Sequence, residues 1–370
     1  MRVLWLTKGL GPGGAERLLV EQAAAGGRGV VYEAAYLLPW KHHLVGDLEA
    51  LGVRVHCLGV RTEADPRWLV RLARLIERGG FDVVHAHSPV SAALARVLVR
   101  LRFRRVAFVA TEHNRWPSHH LATRILNRAT FRANDTALAV SEEVVASMPP
   151  RARARTRVVT HGIDLTRVRA LAGDRDATRR ELGVAPGDRL CITVANLRAN
   201  KRYPDLLAAA RIVRDRRPGV RFVAVGQGPL EAEVRTRRDE LGLAEGFALL
   251  GYRSDAIRLI AAADLFVLAS EHEGRPVAIM EAFALGVPVV ATAVGGVGEM
   301  VADGSSGLLV AAREPEALAG AIERALDPAL HARLAGGAAV AADRFAAAAP
   351  VAEIEAVYRA AVARRRRGHQ

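Results

Sequence analysis

The sequence predicts an α/β protein with two parallel β-sheets, and two observations lead to this class. Short runs of apolar and β-branched residues alternate with longer helical patterns rich in Ala, Leu and Arg along the whole chain. Such alternation is typical of parallel sheets assembled from βαβ units. At 370 residues the chain is also too long for one ordinary core, so two domains are expected.

Two series of strands are predicted, one in each half of the chain. The first series comprises residues 3–7, 30–37, 53–58, 83–86, 106–111, 137–140 and 158–160, and the second comprises 190–195, 222–226, 248–251, 265–269, 289–292 and 307–310. Helical patterns lie between them, for example at 15–25, 66–78, 203–216, 229–241 and 315–325. Each series suffices for one sheet, so we predict two Rossmann-like domains that face one another.

Turn-forming residues place the break between these domains in the segment 165–188, where Gly173-Asp-Arg-Asp and Ala185-Pro-Gly-Asp occur. The prediction assigns residues 1–168 to the first domain and residues 169–345 to the second. A C-terminal helix over 346–370 is expected to return to the first domain.

The composition disfavours several classes of protein. No run of 18 apolar residues occurs, so a transmembrane helix is not expected. The first residues, Met-Arg-Val-Leu-Trp-Leu-Thr, are too short for a signal peptide and are predicted as a buried strand. Cysteine occurs only at Cys57 and Cys191, which implies no disulfide framework and fits a cytoplasmic location.

Charge is distributed unevenly along the chain, whose formal net charge is +14. Residues 1–165 hold 24 basic and 14 acidic residues, residues 166–363 hold 25 of each, and Arg364–Arg367 supply the remaining +4. A basic half favours an anionic partner, which could be nucleic acid, an acidic membrane or a phosphorylated substrate. The alternative is a solvated, arginine-rich surface.

The clearest basic pattern is a stripe of Arg124, Arg128 and Arg132, which are four residues apart and share one predicted helix face. Leu121, Ile125 and Phe131 lie nearby, so this surface could rest on anionic lipid, or it could be a solvated helix face. Nucleic acid is disfavoured, because the aromatic content is 5% and no basic–aromatic platform is present.

Two carboxylates eight positions apart mark the most informative segment, Glu273-Gly-Arg-Pro-Val-Ala-Ile-Met-Glu281. Glu273 follows a predicted strand, and Glu281 lies one turn into an apolar helix. Ligands of open α/β sheets bind beyond the carboxyl ends of the strands. Backbone N–H groups at a helix start favour an anion there, and carboxylates accept hydrogen bonds from sugar hydroxyls. The spacing therefore predicts a nucleotide-sugar site.

Basic side chains follow the first strand of the second domain. Arg198 and Lys201 stand three positions apart at a strand-to-helix turn, so both can point at one anion. Arginine offers a fork to phosphate oxygens, and lysine offers a point charge. Beside the Glu273 turn, this pair is interpreted as a diphosphate clamp rather than as two solvated side chains.

Two glycine-rich loops follow strands, at Gly11-Pro-Gly-Gly-Ala-Glu16 and at Gly226-Gln-Gly-Pro-Leu-Glu231. The first loop fits neither the dinucleotide fingerprint nor a Walker A loop. Gly13 and Gly14, like Gly226 and Gly228, could let the backbone approach a ligand or could only turn the chain.

Histidines near strand ends are candidate polar site residues. His85 and His87 alternate at the end of one strand, and His113 follows the next, but no third metal ligand has firm spacing. They are interpreted as active-site or cleft-lining side chains. The string Asp174-Arg-Asp176 lies in the linker and is interpreted as a chance match to a metal-binding D-x-D. Hydrolase elbows and zinc motifs do not occur.

Together these motifs resemble the retaining glycosyltransferases of family 4, which have the GT-B fold of two Rossmann-like domains facing across a cleft. The resemblance extends over nearly the full chain. The matching segments are, in order, Gly13-Gly-Ala-Glu16, Asp82-Val-Val-His-Ala-His87, Thr111-Glu-His113, Ala139-Val-Ser-Glu142, His161-Gly-Ile-Asp164, Arg198 with Lys201, Gly226-Gln-Gly-Pro229, residues 251–255, the E-x7-E pair, and Gly295-Gly-Val-Gly-Glu299.

The resemblance implies a donor site for a nucleoside-diphosphate sugar. It implies that Glu281 binds the ribose, that Glu273 orders the transferred sugar, and that Arg198 and Lys201 hold the diphosphate. His113 is expected at the sugar near the reacting carbon.

Further implied contacts involve backbone groups. Those of Gly274, Arg275, Pro276 and Val277 are expected to meet sugar or phosphate, and the loop of Gly13 and Gly14 to approach the donor phosphate or the acceptor. No metal or other cofactor is expected, and the acceptor is expected to be a glycan, a polysaccharide precursor or a lipid-linked molecule.

Two positions depart from the family pattern. Arg275 stands where an apolar or aromatic residue is frequent, and we hypothesise that it contacts a donor phosphate or an acidic sugar. His161 replaces the usual Asn before Gly-Ile-Asp.

Two functions are alternatives to sugar transfer: a nucleotide-sugar 2-epimerase of the same fold and a non-catalytic partner subunit. The presence of Glu273, Glu281 and Arg198 argues against a non-catalytic subunit.

Overall fold

The computed structural model describes residues 1–11, 13–27 and 29–367. The chain divides into two compact units: the first comprises Met1–Gly162 with the C-terminal segment from Ala347, and the second comprises Ile163–Ala346. Each unit contains a parallel sheet with helices, which confirms the predicted α/β class. Pro12 of the first glycine loop and residues 368–370 of the predicted C-terminal helix lie outside the described residues.

The first unit is built on a parallel sheet that, among the described residues, has the strand order β3-β2-β1-β4-β5-β6-β7. Its strands are β1 (Arg2–Thr7), β2 (Val31–Tyr36), β3 (Arg54–Cys57), β4 (Val83–Ala86), β5 (Ala107–Glu112), β6 (Thr136–Ala139) and β7 (Thr156–Val158). Its helices are α1 (Gly14–Ala24), α2 (Val45–Ala50), α3 (Arg67–Gly79), α4 (Pro89–Arg102), α5 (Leu121–Thr130), α6 (Glu142–Ala146), α7 (Pro150–Arg153) and the C-terminal helix (Ala348–Arg367).

Continuous apolar strands form this sheet because both of its faces are covered. Along β1, Val3 and Trp5 belong to one apolar cluster, whereas Leu4 and Leu6 belong to another on the opposite face. A strand buried on both faces has a near-continuous hydrophobic sequence, as parallel strands do. The predicted strand over 158–160 differs most, since β7 occupies Thr156–Val158.

Buried polar groups hold the C-terminal helix on the first unit. Glu355, which is 3% exposed, accepts hydrogen bonds from the Gly27 N–H at 2.8 Å and from the Tyr32 hydroxyl at 2.9 Å. Near the end of the helix, Arg365 pairs with Asp135 at 2.8 Å. A buried carboxylate with several donors fixes the position of its helix, because leaving any of these groups unpaired costs free energy.

The second unit has a parallel sheet whose order, within the described residues, is β10-β9-β8-β11-β12-β13. Its helices are α8 (Leu165–Ala170), α9 (Arg175–Glu181), α10 (Tyr203–Arg216), α11 (Glu231–Glu240), α12 (Ala256–Ala262), α13 (Val277–Ala284), α14 (Val297–Met300), α15 (Pro315–Ala325) and α16 (Pro328–Ala341). Its strands are β8 (Arg189–Val194), β9 (Val220–Val225), β10 (Phe247–Leu249), β11 (Leu265–Leu268), β12 (Val289–Thr292) and β13 (Gly307–Val310).

The division between the units precedes the predicted boundary at 168/169. Helix α8 belongs to the second unit, where the Arg169 side chain donates to the carbonyl oxygen of Ala284 at 3.2 Å. Ile163 also pairs with Ala346 in a parallel bridge. No helix in the described part of the chain combines the length and the apolar character that crossing a bilayer requires.

Candidate functional site

The strand order of the second unit creates a switch point between β8 and β11. The chain runs from β8 to β9 on one side, and β11 lies on the other side of β8. Loops that follow two such strands diverge and leave a crevice at their carboxyl ends, which is the usual ligand position in open α/β sheets. Arg198 and Lys201 follow β8, whereas Glu273 follows β11.

The turn after β8 presents both basic side chains. A single 3-10 turn, Ala199–Lys201, begins immediately after Arg198, and the Lys201 N–H donates to the Arg198 carbonyl oxygen at 2.9 Å. The next residue, Arg202, has a φ of 50° and connects this turn to α10. The Arg198 side chain is exposed and has no ion-pair partner within the described part of the chain. It is therefore accessible to an anion.

Glu273 and Lys201 form a close ion pair. The Lys201 Nζ lies 2.5 Å from the Glu273 Oε1, and only 8% of the Glu273 side chain and 18% of the Lys201 side chain are exposed. The two loops are also joined through their backbones, because the Glu271 N–H donates to the Asn200 carbonyl oxygen at 2.8 Å. A predicted sugar-binding carboxylate and a predicted phosphate-binding lysine thus contact one another directly.

Two buried hydroxyls support Glu273, one by a direct hydrogen bond and one through Ser270, and neither was identified from the sequence. The Ser270 hydroxyl donates to the same Glu273 Oε1 at 2.6 Å, and Ser270 is fully buried. The Thr292 hydroxyl at the end of β12 donates to the Ser270 carbonyl oxygen at 2.5 Å. Ser270 could have been identified from the sequence, because it is a polar residue directly after the predicted buried strand 265–269. These bonds restrict the carboxylate to one orientation.

Glu281 lies on α13, in its second turn, and is 8% exposed. Helix α13 begins at Val277 after the turn of Gly274, Arg275 and Pro276. Gly296 packs against this turn so closely that a Cβ on it would lie 2.1 Å from the Gly274 carbonyl oxygen. Only glycine at position 296 allows this close approach to the backbone between the two carboxylates.

The loop of Gly226 and Gly228 packs on the turn that precedes Arg198. A Cβ on Gly226 would lie 2.1 Å from the Ala195 carbonyl oxygen, and one on Gly228 would lie 2.3 Å from the Leu197 carbonyl oxygen. The Leu197 N–H donates to the Gln227 carbonyl oxygen at 3.1 Å. Both positions require glycine because the two backbones lie in close contact. This contact also supports the turn that carries Arg198.

The Arg275 side chain contacts other residues of the second unit. Its guanidinium contacts Glu299 at 3.2 Å and lies over the Phe345 ring, 5.9 Å from the centroid. Only 9% of its side chain is exposed. Burial lowers the pKa of Arg275 from its usual value, which the charge of Glu299 partly offsets. The hypothesised contact of Arg275 with the donor stays a prediction.

In the first unit, the predicted residues follow β1 and β5. Gly13 precedes α1 as its N-cap with extended backbone, and Gly14 is the first residue of that helix. His113 follows β5. The switch point of this sheet lies between β1 and β4, so Gly13 and the end of β4 border it.

Histidines at the ends of β4 and β5 form a chain of ring contacts. The Nδ1 of His87 lies 3.2 Å from the Nε2 of His113, and the ring centroids of His113 and His161 are 5.8 Å apart. Burial lowers the pKa of His113 to about 4, and it lowers the pKa of His87 well below the usual value. Both imidazoles are therefore neutral at pH 7 and act as hydrogen-bonding groups rather than as cations.

His85 does not line a cleft, which corrects the interpretation from its sequence position. It is 1% exposed, and its ring nitrogens contact the Tyr358 hydroxyl at 2.6 Å and the Thr111 hydroxyl at 2.7 Å. Tyr358 lies on the C-terminal helix and also accepts a hydrogen bond from Gln22 at 3.2 Å. His85 therefore connects the sheet to that helix and serves the stability of the first unit.

Three acidic or hydroxyl residues from the recognised motifs cap helices. Asp174 accepts hydrogen bonds from the N–H groups of Asp176 and Ala177 at the start of α9. Ser141 accepts from the N–H of Val144, and Asp164 accepts from the N–H of Arg167. Helix capping accounts for their positions, and the Asp174-Arg-Asp176 string is part of a cap.

Two family models match the chain. The model described as "Glycosyltransferase Family 4" matches residues 12–167, and the model described as "Glycosyl transferases group 1" matches residues 174–337. The first match covers most of the first unit and the first five residues of the second, and the second match contains the loops of Arg198, Lys201, Glu273 and Glu281.

Curated relatives are similar over most of the chain. The D-inositol 3-phosphate glycosyltransferase of Geodermatophilus obscurus is 34% identical over 311 residues, which are 77% of this chain and 68% of the relative. The UDP-Gal:alpha-D-GlcNAc-diphosphoundecaprenol alpha-1,3-galactosyltransferase of Escherichia coli is 24% identical over 306 residues, which are 78% of each chain.

Among solved structures, Anabaena HepE in complex with UDP-glucose superposes with a TM-score of 0.84. The superposition covers 97% of this chain and 100% of that chain at 22% sequence identity. At this identity, the likeness establishes the arrangement of strands and helices.

Proposed function

The chain belongs to glycosyltransferase family 4 and has the GT-B fold, and from this we propose that it transfers a sugar from a nucleoside-diphosphate donor with retention at the anomeric carbon. The observation that carries the proposal is the grouping of Arg198, Lys201 and Glu273 at the switch point of the second unit. Both kinds of group that a sugar nucleotide requires, cations for phosphate and carboxylates for hydroxyls, occur there.

The proposed chemistry follows from the charge that develops during transfer. As the glycosyl–phosphate bond breaks, the sugar becomes positive and the departing nucleoside diphosphate becomes more negative. Arg198 and Lys201 would stabilise the diphosphate, because preorganised cations at such a site lower the barrier. The proposal needs no metal and no other cofactor, since these side chains supply the positive charge.

Glu273 is proposed to order the hydroxyls of the transferred sugar, and Glu281 to bind the ribose. Lys201 and the hydroxyl of Ser270 already hold one oxygen of Glu273, which leaves the other carboxylate oxygen to accept from the sugar. His113 is proposed to contact the sugar as a neutral hydrogen-bonding group, in agreement with its lowered pKa.

A UDP-sugar is the proposed donor. The Escherichia coli relative carries UDP-Gal in its name, and the Anabaena structure contains UDP-glucose. For the acceptor we propose a glycan, a polysaccharide precursor or a lipid-linked molecule, with polysaccharide biosynthesis as the context; the same relative acts on a diphosphoundecaprenol-linked sugar according to its name. A cytoplasmic enzyme bound peripherally to a membrane would meet such an acceptor.

Two alternative functions remain distinguishable by their products. A nucleotide-sugar 2-epimerase would convert the donor without any acceptor, so an epimerised sugar nucleotide would appear in its absence. A non-catalytic subunit would give no product under either condition. The intact set of Arg198, Lys201, Glu273, Glu281 and His113 favours catalysis.

The donor proposal is tested by titrating UDP and UDP-sugars into the purified protein by calorimetry. Arg198→Ala and Glu281→Gln should each weaken binding about 10- to 100-fold, the equivalent of losing a hydrogen bond to a charged group. Arg217→Ala is the matched control, because Arg217 is an exposed arginine of the same unit that ends α10 away from the switch point. Unchanged affinity in both site variants would refute the assignment.

Arg275→Leu tests the separate proposal that Arg275 contacts a donor phosphate or an acidic sugar. We expect weaker binding of the donor or a changed preference among UDP-sugars. Phe345→Leu is the control, because it disturbs the packing under the guanidinium without removing the charge. Unchanged affinity and preference in Arg275→Leu would remove this residue from the donor site.

A further inference from the structure

The segment between Asp82 and Asp135 is strongly basic at its surface. Residues 83–134 contain nine arginines and one acidic residue, Glu112. Glu112 is 4% exposed, so it contributes no carboxylate to the surface. This segment forms α4, β5 and α5. Three of its arginines pair with carboxylates outside it, namely Arg100 with Asp135, Arg102 with Glu77 and Arg115 with Glu143.

The outer face of α5 carries three of these arginines. Arg124, Arg128 and Arg132 are exposed and have no ion-pair or hydrogen-bond partner for their side chains within residues 1–11, 13–27 and 29–367. Their spacing of four residues brings them onto one side of the helix and the turn that continues it. We call these three arginines with Leu121 and Ile125 the basic face of α5.

The arginines of helix α11 show the contrasting case, in which neighbouring carboxylates neutralise the charge. On α11, Arg235 pairs with Glu231 at 3.3 Å and Arg237 with Glu240 at 3.0 Å, while Arg238 pairs with Asp239 at 2.7 Å. The positive potential of α11 is therefore cancelled within one helix. The arginines of the basic face of α5 make no ion pair with any described residue, so their positive potential is not cancelled in this way.

Large aliphatic side chains stand between the cations of the basic face. Leu121 is 67% exposed and Ile125 is 60% exposed. The opposite side of the helix packs against the first unit. There the buried Asn127 side chain accepts a hydrogen bond from the Arg96 guanidinium at 3.0 Å and donates one to the Pro89 carbonyl oxygen at 3.0 Å. Helix α5 thus keeps its apolar and basic side chains turned outward.

We propose that the basic face of α5 docks on the surface of an anionic lipid bilayer. Arginines at this face meet headgroup phosphates, while Leu121 and Ile125 enter the boundary of the acyl chains, as in interfacial amphipathic helices. The outward apolar groups are aliphatic, so the face lacks the aromatic rings on which nucleic-acid bases stack. Lipid is therefore the occupant that the combination of charge and apolar surface favours.

This docking extends the proposed function, since it would bring the enzyme to a lipid-linked acceptor, but its test is independent of the donor site. Vesicle binding is measured without any nucleotide sugar. If the protein does not bind vesicles, the donor proposal is unaffected. If it does not bind nucleotides, the membrane-docking proposal is unaffected.

The experiment is co-sedimentation of the full chain with vesicles of phosphatidylcholine that do or do not contain phosphatidylglycerol. We expect binding to the anionic vesicles alone, weakening as NaCl is raised because exposed charges are screened. The triple variant Arg124→Gln, Arg128→Gln and Arg132→Gln should bind about 100-fold more weakly, at about fivefold for each arginine near an anionic surface. The variant Leu121→Ser with Ile125→Ser should also lose affinity.

The matched control is Arg235→Gln, Arg237→Gln and Arg238→Gln on α11, which removes the same charge and should leave vesicle binding unchanged. Thermal melts identify any variant that has lost its fold, and protection of α5 amides from hydrogen exchange on vesicles tests the wild-type chain directly. Equal loss in both triple variants, equal binding to neutral vesicles, or tighter binding to RNA than to anionic vesicles would overturn the proposal.

Discussion

Separating Lys201 from Glu273 should destabilise the second unit, and the size of the effect follows from the geometry of the pair. The two charged atoms are 2.5 Å apart, and both side chains are more than four-fifths buried. At an effective dielectric constant of about 20, their attraction is about 7 kcal/mol. Desolvation of two ions offsets several kcal/mol of it, so the expected net coupling is about 1–3 kcal/mol.

A double-mutant cycle measures this coupling. Lys201→Met leaves the buried Glu273 carboxylate with its hydrogen bond from Ser270 alone, whereas Glu273→Gln leaves the lysine charge without its partner. Each single variant should cost about 2 kcal/mol, which lowers the melting temperature of a unit of this size by about 4–8 °C. The double variant should be less destabilised than the sum of the two.

The assay can locate the effect within the chain. Tryptophan occurs at positions 5, 40, 68 and 116, all in the first unit, so tryptophan fluorescence follows the unfolding of that unit. Circular dichroism follows the helices of both units. A coupling below about 0.5 kcal/mol would refute the reasoning, because it is the size expected for independent sites. Lys201→Arg, which keeps the charge, is the control.

Two further predictions concern the residues around the candidate site. Ser270→Ala removes the second donor to Glu273 and should lower kcat about tenfold while the affinity for UDP stays unchanged, so equal losses in both would indicate only a structural role. Because burial lowers the pKa of His113 to about 4, the unfolded chain binds a proton that the native chain does not between about pH 6.5 and 4. The free energy of unfolding should therefore fall as pH falls through this window, by up to roughly 3 kcal/mol from His113. In His113→Asn, the free energy of unfolding measured in urea should depend less steeply on pH, and an unchanged dependence would contradict the lowered pKa of His113.

Periodicity and composition predicted the elements of the fold because each depends on nearby residues. The helix over 203–216 and the strand over 289–292 lie where the sequence predicted them. Strand β7 does not lie where the sequence predicted a strand. Its three residues are partly buried or exposed, so they give no strong apolar pattern. The predicted boundary at 168/169 also differs from the structure, because contacts such as that of Arg169 with Ala284 assign α8 to the second unit.

The candidate site was predictable only where its residues follow strands. Arg198, Lys201 and Glu273 were found because a parallel sheet brings the ends of its strands to one edge. The bond between Lys201 and Glu273 was not predictable, since it joins residues 72 positions apart. For the same reason His85 was misinterpreted: its partner Tyr358 is 273 positions away. Sequence patterns indicate the edge of a sheet on which a side chain lies, but the partner it contacts depends on tertiary packing.

Ion pairing, rather than net charge, distinguishes the arginines that are open to an anion; Lys201, which is paired with Glu273, is assigned to the diphosphate by its position beside Arg198. The second unit contains a buried carboxylate, Asp264, that pairs with Arg175 at 2.8 Å and with Arg179 at 3.0 Å, so the charge of these arginines is already used within the fold. Arg198 in the same unit has no such partner among the described residues, and neither does Arg124 in the first unit. An arginine that is exposed, unpaired and held by a defined backbone retains its charge for a ligand, because no carboxylate must first be displaced. Arg198 and the basic face of α5 meet this criterion, as does Arg217, but only Arg198 also lies at the switch point of the second unit. The net charge of the second unit alone would have suggested no anion site there.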